Sequence, residues 1–563
     1  MTKKSVLARL RAAVALAVAA VLLAGCARLP MAGEVRQGQF INDGMSNEQL
    51  YYSPSGPNQG ATMEDIVSGF LNAGTGPQND YAVAREYLSE DFRADWHPSD
   101  EVLVETGRPV ITFDTEKRAQ VTIRVQSQLD ERGIYSVAKA GTERTLTYTF
   151  VRENGEWRIS SAPNLTVLIR PIFEAIFHSY ALYFFDQQRK FLVPDLRWFP
   201  ARASTSTRLV SELFRGPSEW LTGAVSTSIP SDIKLSLASV SVSNGIASVD
   251  LNSKFLSLNA TQKLQFKAQL SATLRQLATV TSVQVLVERS PQSIGDLDAK
   301  ATSSSPASPV ILTATDFKHS TGAQSANFSN IADLAAEYRA NEFAVSADES
   351  RAALAGPEGI HLVLLSSIAS RPMLVDSRSE VLRPQFDRQG YLWSLGKNSG
   401  SQIRAIAMDG TAYAVPAGWL AVANREEFAI SPEGSRIVAR LNTPTGSQVW
   451  VSAINRDKTG RPVGFGKPIQ LTSTVKTAIS IAWAGEVQVA VLDQNDGVRS
   501  VPHLITIGAD SSSLVGIESG IRLLSSAVGE LYVVNRLGDL YRYKTSNWER
   551  VTDGVIAAHF SGQ

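Results

Sequence analysis

At 563 residues and 44% apolar composition, the chain is too long for one domain and has ample material for several cores. Its 54 basic residues balance 54 acidic ones, which argues against a polyanion-binding surface and so against a nucleic-acid partner. A single cysteine excludes an intrachain disulfide and a thiolate metal cluster.

Lys3, Lys4, Arg9 and Arg11 open the chain, and no acidic residue precedes Glu34. Residues 12–25 are almost wholly Ala, Val and Leu. A basic start, a short apolar run and small residues before a cut site predict a secretory signal peptide over residues 1–25. The run falls short of the about 20 apolar residues of a spanning helix. Leu23, Ala24, Gly25 and Cys26 resemble a bacterial lipobox. The resemblance implies transfer of a diacylglyceryl group to the Cys26 thiol and cleavage before it. The small Ala24 and Gly25 suit the peptidase subsites. Cys26 then becomes an N-palmitoyl, S-diacylglycerol cysteine. The alternative is an ordinary cysteine ending an ordinary signal peptide, but Cys26 is the only cysteine in the chain. Each buried acyl CH₂ adds roughly 0.8 kcal/mol of membrane affinity, and two or more chains anchor stably. The expected location is the extracytoplasmic face of the cell membrane, with lipid as partner through Cys26. Residues 26–60 are rich in Gly, Pro, Asn, Ser and Gln and read as a flexible tether.

From residue 61 the pattern changes. Met63, Ile66, Val67, Phe70 and Leu71 recur at helical spacing behind a Thr62–Asp65 capping pair. A second helix is predicted over 80–92, with Tyr81, Ala84, Tyr87 and Leu88 on one face. Strand patterns follow at 110–113, 119–129, 133–140 and 145–152, and Asn154-Gly155 is a hairpin turn leading into Trp157-Arg158-Ile159. Two helices followed by a curved antiparallel sheet ending in NGEWRI resemble the nuclear transport factor 2-like (NTF2-like) α+β fold, here over 61–170.

Residues 171–290 form the next unit. Strands at 180–185 and 190–194 flank a Gln187-Gln188-Arg189 turn. A helix over 207–214 ends at Gly216-Pro217, where proline cannot continue it. A hairpin pairs 234–242 with 246–251 across Asn244-Gly245. A helix follows over 261–277, with Leu264, Ala268, Leu270, Leu274 and Leu277 apolar, then a strand at 282–287. The order β-β-α-β-β-α-β, with YFFDQQRKFLVPDLR, LVSELFRGP and NGIASVDLNSKF, resembles the α+β GerMN domain of sporulation and cell-envelope proteins. Residues 291–309, rich in Ser, Ala and Pro, read as a linker.

Residues 310–563 carry one helical pattern, at 331–338, and otherwise repeat. Phe343-Ala344-Val345-Ser346 with Ser350-Arg351 matches Phe428-Ala429-Ile430-Ser431 with Ser435-Arg436. Glu349, Gly390, Gly434, Gly485 and Gly529 mark equivalent points, spaced near the about 40–45 residues of a β-propeller blade except from Gly434 to Gly485, where a polar, Gly-rich insert at 455–467 lengthens the step. The prediction is an all-β propeller of about six blades; the alternative is a β-sandwich with accidental similarity.

Chemistry is sparse. His97, His178, His319, His361, His503 and His559 are scattered, with no HExxH or HxxxH spacing. No nucleophile elbow, P-loop or dinucleotide fingerprint occurs. No catalytic residue, metal site or cofactor is therefore expected. Glu90-Asp91 and Glu426-Glu427 read as solvated pairs. Asp95-Trp96-His97 reads as a helix end with Trp96 in the core. The aromatic stretch Phe173, Phe177, Tyr180, Tyr183, Phe184, Phe185, Phe191, Trp198 and Phe199 has two readings: domain core and inter-domain packing, or an exposed groove for a glycan or partner.

Taken together with the segments LAGCARLP, LVPDLRWFP, LFRGPSEWL and FAISPEGSR, this order resembles the LpqB family of actinobacterial lipoproteins. The resemblance implies a non-enzymatic accessory or regulator of an Mtr-type sensor histidine kinase, acting on that kinase's extracellular domain in a two-component system for cell-wall and division functions. Only Cys26 maps as a site residue. The alternative is a peptidoglycan- or cell-wall-binding lipoprotein, and the third reading is a propeller hydrolase.

Overall fold

Thr62 starts the first helix as its sequence predicts. Its Oγ1 accepts from Asp65 N (3.2 Å) and its own N–H donates to Asp65 Oδ2 (3.0 Å), which satisfies two of the helix's free donors. The helix Met63–Ala73 buries Ile66, Val67, Phe70 and Ala73. This computed structural model describes residues 54–562, except 203, 298, 300–307, 322–327, 329, 366–370, 399, 401, 423, 473–474 and 495–496. The signal peptide, Cys26 and the tether through residue 53 lie outside the described residues.

The second helix is shorter than predicted. Only Ala82–Arg85 is α-helical. Asn79, Asp80 and Tyr81 all have positive φ, which starts the helix late. Beyond Arg85, Ser89 N donates to Ile159 O and Ile159 N donates to Tyr87 O. Pairing with the sheet edge thus replaces further helical turns, while Tyr81, Ala84, Tyr87 and Leu88 still reach the core.

The N-terminal sheet has seven strands. Arg118–Asp130 is central; Glu143–Glu153 flanks it on one side and Glu101–Glu105 on the other. Ala119, Val121, Ile123 and Val125 alternate inward, as period-two patterning requires. Asn154 and Gly155 turn the chain with φ of 53° and 83°. Glu101–Glu105 and Thr166–Ile169, which the sequence did not announce, pair in parallel. Both are too short to show a period.

In the central segment, Phe177–Asp186 and Leu192–Pro200 pair antiparallel from Phe177↔Pro200 to Phe185↔Leu192. Asp186 Oδ1 closes their turn by accepting from Lys190 N (2.6 Å) and Phe191 N (2.9 Å). Helices Thr205–Arg215 and Ala260–Leu274 pack with the parallel pair Ile246–Leu251 and Ser282–Val287. Leu209, Leu213, Val249, Phe266, Leu270 and Val285 share this core. Leu264 is only half-buried; Gln269 is buried instead. Its Oε1 accepts from Ser228 N (2.6 Å) and its Nε2 donates to Tyr183 O (2.9 Å), so the polar side chain is satisfied by backbone.

Residues from Val310 on form six antiparallel sheets of three to five strands, none closed on itself among the described residues. The helical pattern appears as Ile331–Glu337. One sheet joins the two ends of the segment, with Val310–Leu312 between Phe317–His319 and Ala557–His559. Successive sheets share apolar cores. Phe343 and Val345 pack with Val310 and Phe317, and Ala344 with Phe386. Trp393 packs with Phe428, Ala429 with Ile481, and Ala490 with Leu523. Leu524 and Tyr532 pack back onto Ile311 and Ala558. The arrangement is propeller-like.

The repeat has a local cause. Glu349, Gly390, Gly434, Gly485 and Gly529 all have positive φ and lie in the turn between the first and second strands of five sheets. Ser431 Oγ accepts from Arg436 N (3.0 Å) and donates to Glu433 Oε1 (2.6 Å). Ser346 Oγ makes the same bonds with Arg351 N (3.0 Å) and Asp348 Oδ1 (2.7 Å). Asp387 and Ser526 accept from Tyr391 N and Glu530 N in the corresponding turns.

Candidate functional site

The aromatic stretch forms a joint. Phe173 lies 5.2 Å from Phe177, 5.1 Å from Trp198 and 6.1 Å from Tyr135, in a cluster with Val102 and Leu168 of the N-terminal sheet. Phe177, Phe184, Phe185 and Phe199 are buried. Packing, rather than an open groove, is therefore what this stretch does. Its polar tips reach the propeller-like part. Trp198 Nε1 donates to Gly508 O (2.8 Å), and Tyr183 Oη donates to Glu486 Oε2 (2.8 Å). Tyr135 Oη donates to Asp510 Oδ1 (2.8 Å), and Arg170 Nη2 lies 3.1 Å from Asp510 Oδ2. Burial raises Glu486 above the usual carboxylate range, partly opposed by the Tyr183 hydrogen bond. Burial raises Tyr183 as well.

A second constellation lies where the first strands of the propeller-like sheets begin. Glu427, expected as a solvated neighbour of Glu426, is only 6% exposed. Its Oε1 accepts from Arg383 Nη2 (3.0 Å) and Ser480 Oγ (3.1 Å), and its Oε2 accepts from Ile481 N (2.8 Å). Arg440 Nε lies 3.9 Å from Glu427 Oε2. Arg522 donates to Glu342. Burial, then the charge of Arg522, lower the Arg383 pKa. Beside Arg383 is a cavity of about 20 Å³, whose lining includes Gln385, Ala429, Trp483, Leu524 and His559. His559 is buried, with Nδ1 2.7 Å from Phe560 O. Burial first, and Arg383 next, push its pKa down to about 3, so the ring is neutral and Nδ1 carries the proton. Both carboxylates of the cluster are engaged with arginine, so neither is poised as a free acid or base.

The six histidines are not gathered. His97 and His178 are exposed. His319 Nε2 lies 3.2 Å from Glu349 Oε1, His361 stacks 4.1 Å from Tyr338, and His503 is 3.9 Å from Asp493. Among the described residues, no group of three or more His, Cys, Asp or Glu could hold a metal ion, and no helix is long and apolar enough to cross a membrane. Trp96 is buried, as expected. Sequence reasoning missed the Arg383–Glu427–Arg522 cluster, because its members come from different repeats.

Three family descriptions match in chain order. "Lipoprotein LpqB, N-terminal domain" covers residues 56–174, "Sporulation and spore germination" covers 181–293, and "Lipoprotein LpqB beta-propeller domain" covers 321–558. The chain is 31% identical over 286 residues to a lipoprotein LpqB of Thermobifida fusca (strain YX), covering 48% of this chain and 45% of that one. It is 26% identical to one of Bifidobacterium longum (strain NCC 2705), covering 77% and 76%. It is 24% identical to one of Streptomyces coelicolor (strain ATCC BAA-471 / A3(2) / M145), covering 96% of each. The match to the first of these spans less than half of that relative's length, whereas the last runs along nearly the whole of both chains. With both LpqB-specific modules present and a GerMN domain between them, the chain belongs to the LpqB lipoprotein family.

Proposed function

We propose that this chain is a lipid-anchored, extracytoplasmic, non-enzymatic accessory protein, held in the cell membrane through N-palmitoyl, S-diacylglycerol Cys26. It modulates an Mtr-type sensor histidine kinase through that kinase's extracellular domain, and so affects cell-wall and division functions. In this reading residues 1–25 are the signal peptide, 26–60 the tether, and 61–170 an NTF2-like domain. Residues 171–290 are the GerMN domain, 291–309 the linker and 310–563 a propeller of about six blades. The observation that carries the proposal is the joint: Trp198, Tyr183 and Tyr135 bond three recognition-type modules into one unit. Such a unit suits presenting a fixed surface to another protein better than processing a substrate. The arginine-rich cluster at the start of the first strands, with both carboxylates engaged, also speaks against the hydrolase reading.

Membranes carrying the full chain, treated with a crosslinker, should yield a sensor-kinase extracellular domain on purification, and deletion should change the kinase response. No kinase crosslink together with an unaltered response would defeat the proposal. Retention on purified cell wall without kinase would favour the peptidoglycan-binding alternative. Cys26→Ala should move the protein from the membrane to the soluble fraction with its fold intact by circular dichroism; an unchanged membrane fraction would remove the lipid site.

A further inference from the structure

The charges where the first strands of the propeller-like sheets begin do not balance. Arg383, Arg440 and Arg522 interact with Glu342 and Glu427, leaving a surplus of one positive charge. Glu426, which also faces Arg440, is shared with the half-exposed Lys397 at 3.3 Å and offsets the surplus only in part. Both oxygens of Glu427 are already engaged, and Glu342 accepts from Arg522. Nε and Nη1 of Arg383 and Nε of Arg440 are nonetheless buried without a hydrogen-bond partner. Unpaired buried guanidinium donors are costly, and a surplus charge in a dry site more so.

Arg383 lines the cavity of about 20 Å³. That exceeds the roughly 10–15 Å³ a single water needs, and it is too small for a sugar or a peptide. Ala429, Ile430, Ala482, Trp483 and Leu524 contribute apolar walls from successive sheets, and Gln385, Ser525 and His559 are the further polar lining residues. Water could accept from the free N–H groups but would leave the charge uncompensated. An anion of one atom does both.

We propose that this cavity binds one halide-sized anion against the free Nε–H and Nη1–H of Arg383. The anion acts as a structural ion that completes the charge balance of the first strands of these sheets. This site is independent of the kinase reading and of Cys26.

The test uses the detergent-solubilised full chain. Thermal unfolding is followed while sodium chloride or bromide replaces sodium gluconate at constant ionic strength. The expected result is a saturable rise in Tm of a few degrees with either halide, lost in Arg383→Gln. Crystals of the unaltered protein grown with bromide should show an anomalous peak within hydrogen-bonding distance of Arg383, a readout that stands even where Arg383→Gln does not fold. Equal Tm in halide and gluconate, a halide effect that persists in Arg383→Gln, or a water without anomalous signal at Arg383 would each overturn the proposal.

Discussion

His559 shows how burial converts an ordinary side chain into a pH-dependent stability element. Its pKa lies at about 3 in the fold, against 6.5 for the free side chain. The unfolded chain therefore takes up a proton below about 6.5 that the folded chain refuses, so the stability owed to neutral His559 is complete above that pH and is lost as pH falls toward about 3. The expected outcome is a steeper fall in Tm between pH 6.5 and pH 4 for the unaltered protein than for His559→Gln, read as the difference between the two curves. Little of this was legible in the sequence. A lone histidine four residues from the last residue gives no sign that it faces Arg383. Glu427 was misread for a similar reason. Next to Glu426 it looks solvated, but the irregularity between Arg425 and Glu427 and the inward side of its strand bury it.

Elements with local causes were the most readable. The capping pair at Thr62, the Asn154-Gly155 turn and the strand Ser282–Val287 follow from their own residues. The propeller repeat belongs to the same class, because a serine hydroxyl or, in one case, the Asp387 carboxylate closes four of the five turns. Ser431→Ala removes both Oγ bonds and leaves Glu433 and Arg436 N short of a partner. The expected loss is about 1–3 kcal/mol in denaturant unfolding, and a loss below a few tenths would show the turn to be held by backbone alone. The predicted helix over 80–92 failed because its competitor, the edge at Ile159, lies far along the chain. Gly133 is a second position where distant structure decides. Its φ is +76°, and a Cβ there would meet Trp198 O at 2.6 Å, in a turn whose carbonyl accepts from Trp198 N (2.8 Å). Gly133→Ala should destabilise by more than the about 1 kcal/mol of conformational strain alone, measurable by chemical denaturation.

At the scale of the whole molecule, the sequence marked the modules but not how they meet. The joint rests on side chains whose partners are hundreds of residues away, such as Tyr183 with Glu486 and Trp198 with Gly508. Only the density of aromatics pointed to it, as core and packing on the preceding domain, with an exposed groove as the second reading. Tyr183→Phe with Trp198→Phe deletes two donors, leaving a half-buried carboxylate and a carbonyl short of a partner. Scanning calorimetry should then resolve the propeller-like part as a separate transition, whereas the unaltered chain unfolds in fewer steps. Identical thermograms would mean that apolar packing alone couples the modules.

The sheet shared by Val310–Leu312 and Ala557–His559 also sets a timetable for synthesis. A nascent chain emerges from its N-terminus, so Val310–Leu312 must wait for almost the entire propeller segment before the partner strand on one flank exists. Until then an apolar edge stands open to pairing with other chains, and closure depends on contacts of very high sequence separation, which form slowly. A message truncated shortly before Ala557 would thus produce not a slightly smaller ring but an unlatched one. Quality-control proteases would meet that product as a chain with every upstream sheet present and no means of locking them.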